Sequence, residues 1–193
     1  MRSTIFFGKL LIFTILVIIV PRLSAEDRRT IPLDMYLIID GSLALENSKN
    51  DAVSWISQQV VDRILMEGDR ITVWNAGDKP EIIHSETISA ASGTGAIKDK
   101  LQTLSTEGKT ADFSSAMREV LPRVSQTPGD RISYTVLIAS SATSLGPAFS
   151  GSSQNLFRWF RSKKYERWQV LVIAPDIGGK VQQSAQAYMS SVR

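Results

Sequence analysis

The chain has 193 residues, enough for one ordinary domain with its own hydrophobic core and too few for two domains of typical size. Its apolar and charged fractions, 43% and 21%, are those of a globular protein. The sequence has no cysteine, which excludes disulfides, thiolate metal sites, cysteine nucleophiles and lipid attachment through a cysteine.

The first 25 residues differ in character from the rest. Arg2 and Lys9 precede an apolar stretch from residue 10 to residue 20, and the small Ala25 precedes an acidic residue. This order is typical of a secretory signal peptide. The alternative is an uncleaved membrane anchor at residues 5–20, because that stretch is close to the span of about 17–25 residues that a bilayer requires. Both interpretations predict an extracytoplasmic protein, either periplasmic or secreted.

The formal net charge of +3 comes from this N-terminal segment. Residues 1–25 carry three of the 22 Lys and Arg residues and none of the 19 acidic residues. The remainder therefore has equal numbers of both signs, and its charge gives no indication of a nucleic-acid partner.

Residues 26–32 are charged and are predicted to form a short tether before a domain at 33–193. The domain begins with an unbroken apolar run, Leu33–Ile39, which predicts a strand buried on both faces. Apolar positions at helical spacing from 53 to 64 then predict a helix that starts in a capping box at Ser48.

Two further strands follow, Arg70–Ala76 and Glu81–Ile88. We expect them to be antiparallel, because the turn between them is too short for a crossover. The later part of the chain is predicted to contain, in order, a short helix around 97–104, a loop at 107–112, a helix from Phe113, a strand at Ile132–Ala139, a loop at Ser140–Ser153, a short helix around 156–160, a strand at Gln169–Ala174 and a helix at Val181–Val192. Alternating strands and helices imply an α/β fold with helices on both faces of the sheet.

The first strand ends in Asp40-Gly41-Ser42. Ligands of open parallel sheets bind at the carboxyl ends of the strands. A carboxylate and a hydroxyl two residues apart can hold a divalent cation through hard oxygen ligands. The alternative is that Asp40 and Ser42 bond to polar groups of their own loop, as short polar side chains often do.

The order of elements, with an Asp-x-Ser loop after the first strand and a Gly-x-Thr loop before a later helix, resembles the von Willebrand factor type A (VWA) domain. The resemblance rests on residues 37–42, 69–73 and 108–116 and covers about 33–193. It implies a Rossmann-like VWA fold with a mostly parallel sheet and one antiparallel edge strand. It also implies a protein-binding module with a metal-ion-dependent adhesion site for Mg²⁺ or a similar cation, completed by a carboxylate of the partner protein.

The resemblance implies that the metal ligands are Asp40, Ser42 and Thr110. Two positions depart from the family pattern. Ala44 stands where the family has a second serine, and Ser140 stands where it has an aspartate. Because one carboxylate remains, we expect weak or no metal binding. Partner binding is expected at the loops of the same end of the sheet, through Asp40, Ser42, Thr110, Asp112, Ser140 and Ser141.

Other patterns are weaker. Gly108-Lys109-Thr110 looks like the end of a phosphate-binding loop, but Thr103 replaces the glycine that the motif requires earlier. His84, the single histidine, is expected to be structural, since no serine elbow accompanies it. Residues 158–168 interleave basic and aromatic side chains, which favours an amphipathic helix over a surface for lipid or nucleic acid.

We therefore expect an exported, non-enzymatic VWA-like module for protein binding or scaffolding, with weak or no metal dependence and no cofactor. Two alternatives remain. The protein is a membrane-anchored structural subunit of an envelope complex, or it is a hydrolase that uses the loops at the top of the sheet.

Overall fold

The sheet has five strands. The computed structural model describes residues 29–91, 93–141, 144–145 and 163–174. In chain order the strands are β1 (Leu33–Asp40), β2 (Arg70–Ala76), β3 (Pro80–Thr87), β4 (Ile132–Ile138) and β5 (Trp168–Ile173). Their spatial order is β3-β2-β1-β4-β5. Only the β2–β3 pair is antiparallel among these described strands, so the predicted sheet with one antiparallel edge strand is confirmed.

Strand β1 lies at the centre of the sheet. It pairs with β2 on one side and β4 on the other, and all eight of its residues are buried. Successive side chains point to opposite faces, so both faces of this strand need an apolar cover. This is why the sequence of β1 is an unbroken apolar run rather than an alternating one.

One face of the sheet is covered by α1 (Lys49–Trp55) and α2 (Gly95–Gln102). A 3-10 turn, Leu43–Ser48, precedes α1, and a π-helical turn, Ile56–Val61, continues it. The predicted capping box at Ser48 is wrong. No side-chain cap bond forms there, and the hydroxyl donates to the carbonyl of Leu45 at 3.4 Å, because the chain already turns helically before Ser48.

The other face is covered by α3 (Phe113–Ser125). The carboxylate of Asp112 caps this helix by accepting the N–H of Ser115 at 2.9 Å. Helices therefore lie on both faces, as the sequence predicts. The predicted helices at 156–160 and 181–192, residues 158–162 of the predicted amphipathic helix at 158–168 and the N-terminal residues 1–28 lie outside the described residues. Residues 163–168 of that predicted helix form a 3-10 turn, Lys163–Tyr165, and the start of β5 instead.

Two buried ion pairs close the end of the sheet where β1 begins, which we call the lower end. Arg131 donates to the carboxylate of Asp34 at 2.6 Å and to the carbonyl of Leu33 at 2.6 Å. The carboxylate of Asp69 accepts two bonds from Arg29, at 2.6 and 3.0 Å, and two from backbone N–H groups. Each of these two buried carboxylates thus has a guanidinium partner. No helix of the described residues is long and apolar enough to cross a membrane.

Replacing Arg131 with alanine should lower the free energy of unfolding by about 3–5 kcal/mol, because it leaves Asp34 buried without its main partner. Equilibrium denaturation with urea measures the change. The exposed Arg118 provides the control, and Arg118→Ala should cost less than about 0.5 kcal/mol. Equal effects of the two substitutions would contradict the structural role assigned to Arg131.

Candidate functional site

The loops at the carboxyl ends of β1 and β4, together with the loop before α3, form one surface. We call this surface the top face; its described residues are 40–46, 107–112 and 140–141. The loops pair through their backbones: the N–H of Gly108 donates to the carbonyl of Gly41 at 3.0 Å, and the N–H of Leu43 donates to the carbonyl of Gly108 at 2.8 Å. The first and second loops of the predicted site are therefore joined directly.

Asp40 is completely buried at the centre of the top face. Its Oδ1 accepts the N–H and the hydroxyl of Ser42, at 2.8 and 2.6 Å. Its Oδ2 accepts the N–H and the hydroxyl of Ser140, at 3.0 and 2.6 Å. One carboxylate thus ties the loop after β1 to the loop after β4. Of the predicted site residues, the structure brings together Asp40, Ser42 and Ser140.

Thr110 is bonded to a different carboxylate. Its N–H and its hydroxyl donate to Oδ1 of Asp78, at 2.8 and 3.0 Å. The backbone N–H of Lys109, together with these two bonds from Thr110, lowers the pKa of Asp78 from its ordinary value. Asp78 lies in the turn between β2 and β3, which the sequence analysis treated only as a turn. The signal that could have found it is its position just after β2, which runs parallel to β1.

The remaining predicted residues have local partners. Asp112 caps α3, and the hydroxyl of Ser141 accepts the N–H of Ser144 at 3.3 Å. Glu46, the other acidic residue of the first loop, accepts a hydrogen bond from the hydroxyl of Thr106. Ala44 is exposed and offers no side-chain oxygen. The carboxylates of Asp112 and Glu46 are therefore each bound to another group of the chain.

Glycines allow the top-face loops to approach each other. A Cβ added at Gly41 would lie 1.8 Å from Oδ1 of Asn75 and 2.9 Å from the backbone nitrogen of Gly77. One added at Gly108 would lie 3.0–3.1 Å from three backbone atoms, including the carbonyl oxygen of Gly41. Only residues without a side chain fit at this contact, which sets the positions of Ser42 and Thr110 on either side of it.

The donor set does not fit the divalent cation that the VWA resemblance implies. A carboxylate has about four lone-pair sites, and four donors already occupy those of Asp40. The hydroxyl of Thr110 is directed to Asp78. Among the described residues, no group of three or more His, Cys, Asp and Glu side chains is arranged to hold a metal ion.

Other polar features lie away from the top face. His84 is on β3 with its Nε2 3.0 Å from Oε1 of Glu86, and both side chains are mostly buried. A cavity of about 380 Å³ opens near the lower end, beside the end of α3, and Arg70, Arg123 and Asp34 are among its lining residues. Neither feature shares a residue with the top-face loops.

Gly41→Ala should lower the free energy of unfolding by about 2–3 kcal/mol, because the new methyl group overlaps Asn75 and the backbone of Gly77. Thermal or urea unfolding measures the loss. The control is Gly129→Ala, where an added Cβ meets nothing within 4 Å. The close approach of the loops would be refuted if both alanine variants were as stable as the natural protein.

The charge of Asp78 should stabilise the fold in a pH-dependent way. Its pKa is lower in the folded protein than in the unfolded chain, so its contribution is complete above its ordinary pKa of 3.8 and is lost as the pH falls through the folded value. The melting temperature of Asp78→Asn should therefore lie furthest below that of the natural protein near neutral pH, and the gap should shrink as the pH falls below the ordinary pKa of 3.8. The exposed Asp130→Asn corrects for the loss of one negative charge. A gap that stays constant with pH would contradict the assignment.

Comparisons with known proteins agree with this architecture. No protein-family model matches the chain. An uncharacterized protein of Treponema pallidum (strain Nichols) is 21% identical over 174 residues, which are 85% of this chain and 78% of the relative. Proximal thread matrix protein 1 of the mussel byssus superposes with a TM-score of 0.54 at 12% identity, over 75% of this chain and 38% of the mussel protein.

Two further solved structures align more loosely. The ArnB paralog VWA2 of Sulfolobus acidocaldarius has a TM-score of 0.46 at 17% identity, over 75% of this chain and 35% of its own. Manganese-loaded TRAP protein of Plasmodium vivax has a TM-score of 0.49 at 14% identity, over 82% of this chain and 63% of its own. The chain thus spans about a third to two thirds of these solved structures. Its strand order and its helices on both faces of the sheet are those of a VWA-like fold.

Proposed function

We propose that this protein is an exported VWA-like module that binds another protein through its top face, with weak or no dependence on a divalent cation. The top face lies at the carboxyl ends of the parallel strands, where open α/β sheets bind their ligands. Three loops that are distant in sequence meet there. The proposal gives the face a protein partner rather than a small substrate.

The observation that carries the proposal is the position of Leu43. Its side chain is 61% exposed, more than that of the two other exposed large hydrophobics among the described residues, Ile82 at 42% and Ile64 at 36%. A single exposed leucine is common on protein surfaces. Leu43, however, follows Ser42 in the loop that contains Asp40 and bonds to Gly108 of the adjacent loop, so it lies on the top face where these two loops meet.

Leu43 is also held in place by the chain around it. Its N–H donates to Gly108 at 2.8 Å, and the preceding Ser42 makes two bonds to Asp40. Leu45, two residues later, is completely buried in the core. Because the backbone is already ordered, a partner that covers Leu43 gains apolar burial without ordering the loop. Exposed charges at Glu107 and Lys109 lie on the adjacent loop and give the apolar centre a polar rim.

The lower end of the domain supports a tethered arrangement. Arg29 bonds to Asp69 and to the carbonyl oxygens of Ile31 and Ile64, which fixes the entering chain at the end of the sheet opposite to the top face. A leader or anchor within residues 1–25, followed by a tether at 26–32, would therefore leave the top-face loops directed away from the attachment point. This geometry suits both a binding module at a membrane and a structural subunit of an envelope complex.

The chemistry of the top face favours binding over hydrolysis. The hydroxyls of Ser42 and Ser140 both donate to the Asp40 carboxylate rather than to a histidine. His84, the single histidine of the sequence, lies on β3 beside Glu86. The serines and the histidine of a hydrolase would need to lie within hydrogen-bond distance of each other.

Site-specific photocrosslinking in the cell that makes the protein tests the proposal. A photoreactive residue in place of Leu43 should give a discrete crosslinked protein, because the proposal places the partner over this side chain. The matched probe is Ile82, which is similarly exposed but lies on the edge strand β3. Leu43→Asp should abolish the crosslink from a second top-face position, Lys109, whereas Ile82→Asp should leave it intact.

Unchanged melting temperatures of Leu43→Asp and Ile82→Asp would show that both variants fold. Equal crosslinking from positions 43 and 82, or no crosslink from either of them, would exclude the top face as the binding surface.

A further inference from the structure

We infer that Ser140 replaces the divalent cation of a VWA adhesion site: it holds the Asp40 carboxylate, so the top-face loops stay assembled without a metal ion. The inference rests on the proposed function for the use of this face and deepens it, because it states that partner binding is not switched by divalent cations. Its test measures cation binding and needs no partner.

The charge balance at the centre of the top face is the first argument. An aspartate at position 140 would place a second carboxylate against that of Asp40, and two adjacent carboxylates repel each other unless a proton or a cation lies between them. Serine has no charge and donates its hydroxyl at 2.6 Å. A serine at position 140 therefore avoids the repulsion between two carboxylates that a cation would relieve. It also gives Asp40 a hydrogen bond in the place where the cation would bind.

The geometry of the bonds is the second argument. Ser42 and Ser140 each give one N–H and one hydroxyl, so each oxygen of Asp40 accepts two donors. A cation bound directly to Asp40, or through a water that donates to it, would have to displace one of these bonds. Mg²⁺ also gives up its own water reluctantly. Direct coordination of a cation by Asp40 would thus break established charge-assisted hydrogen bonds and would also require the ion to lose bound water.

The third argument concerns the other ligands. Ala44 supplies no oxygen, and Thr110 donates its hydroxyl to Asp78 at 3.0 Å. Asp78 and Thr110 thus form a second contact between a hydroxyl and a carboxylate in the top-face region. The Asp40–Ser140 contact joins two loops that a shared cation would otherwise bridge, and the Asp78–Thr110 contact joins the turn after β2 to the loop before α3.

One feature of Asp40 favours the opposite outcome. Asp34 and Asp69, the other buried aspartates, have arginine partners, whereas the described residues place no cationic side chain within ion-pair distance of Asp40. If any buried carboxylate of the described residues attracted a metal ion, it would be this one. The experiment therefore measures cation binding at Asp40 directly.

The full chain in mild detergent is titrated with Mn²⁺, and free Mn²⁺ is followed by its electron paramagnetic resonance signal. We expect the protein at about 0.1 mM to leave the signal unchanged, and its melting temperature to be the same in chelator and in millimolar Mg²⁺ or Mn²⁺. A specific ion in hundredfold excess over its dissociation constant would raise the melting temperature by about 5 °C or more. Stoichiometric Mn²⁺ binding that Asp40→Asn abolishes would overturn the inference.

Variants at position 140 test the role of the serine. Ser140→Ala should lower the melting temperature by about 4 °C or more, because it removes a bond to a buried charge, and Ser140→Thr should restore most of the loss. Ser141→Ala is the control from the same loop. In chelator, the melting temperature of Ser140→Asp should be lower than that of its neutral counterpart Ser140→Asn. Addition of Mn²⁺ should reduce this difference in melting temperature.

The outcomes separate this inference from the proposed function. If Ser140→Ala is as stable as the natural protein, or if Ser140→Asp and Ser140→Asn are equally stable in chelator, Ser140 does not replace a cation, whatever the crosslinking at Leu43 shows. If the cation experiments give the expected results and position 43 gives no crosslink, the metal-free top face stands and its proposed use is wrong.

Discussion

The buried carboxylate of Asp40 is the constraint on which the top face depends. A carboxylate without solvent must have its charge met by donors or by a cation, and otherwise its burial opposes folding. In this protein the donors come from Ser42, in the same loop, and from Ser140, one hundred residues later in the chain. The folded arrangement of two distant loops is therefore the condition under which this charge can be buried at all.

The other contacts of the top face follow from this one. Once Asp40 fixes the loop after β1, the backbone of Gly41 comes against Gly108, and the pairing of Gly108 with Leu43 places the third loop. Asp78 then holds the beginning of that loop through Thr110. The result is a rigid frame of polar bonds and close backbone contacts, on which Leu43 is the exposed apolar group. The polar bonds and the glycine contacts thus hold the loops rigid, while Leu43 provides the exposed apolar surface.

The sequence predicts most of the fold because its strands carry strong local patterns. The apolar run of β1 and the short turn after Ala76 are sufficient to specify a central strand and an antiparallel edge pair. The divided first helix was not predictable in this way, because the apolar spacing around Val53 and Val60 is the same for an α-helix and for the observed succession of 3-10, α and π turns. Packing against the sheet, rather than local propensity, determines where these turns change.

For the site residues, the sequence predicts their positions but not their bonding partners. The resemblance located Asp40, Ser42 and Thr110 on loops of one end of the sheet, but it could not indicate that Thr110 binds Asp78, since that bond depends on the relative height of two loops 32 residues apart. When the sequence is compared with the VWA pattern position by position, Ser140 is recognised only as the absence of a metal ligand. A carboxylate that accepts a hydrogen bond from a hydroxyl group is satisfied in a different way from one that faces a second carboxylate. Ser140 therefore meets the Asp40 carboxylate with hydrogen bonds, and these bonds tie the loop after β4 to the loop that presents Leu43.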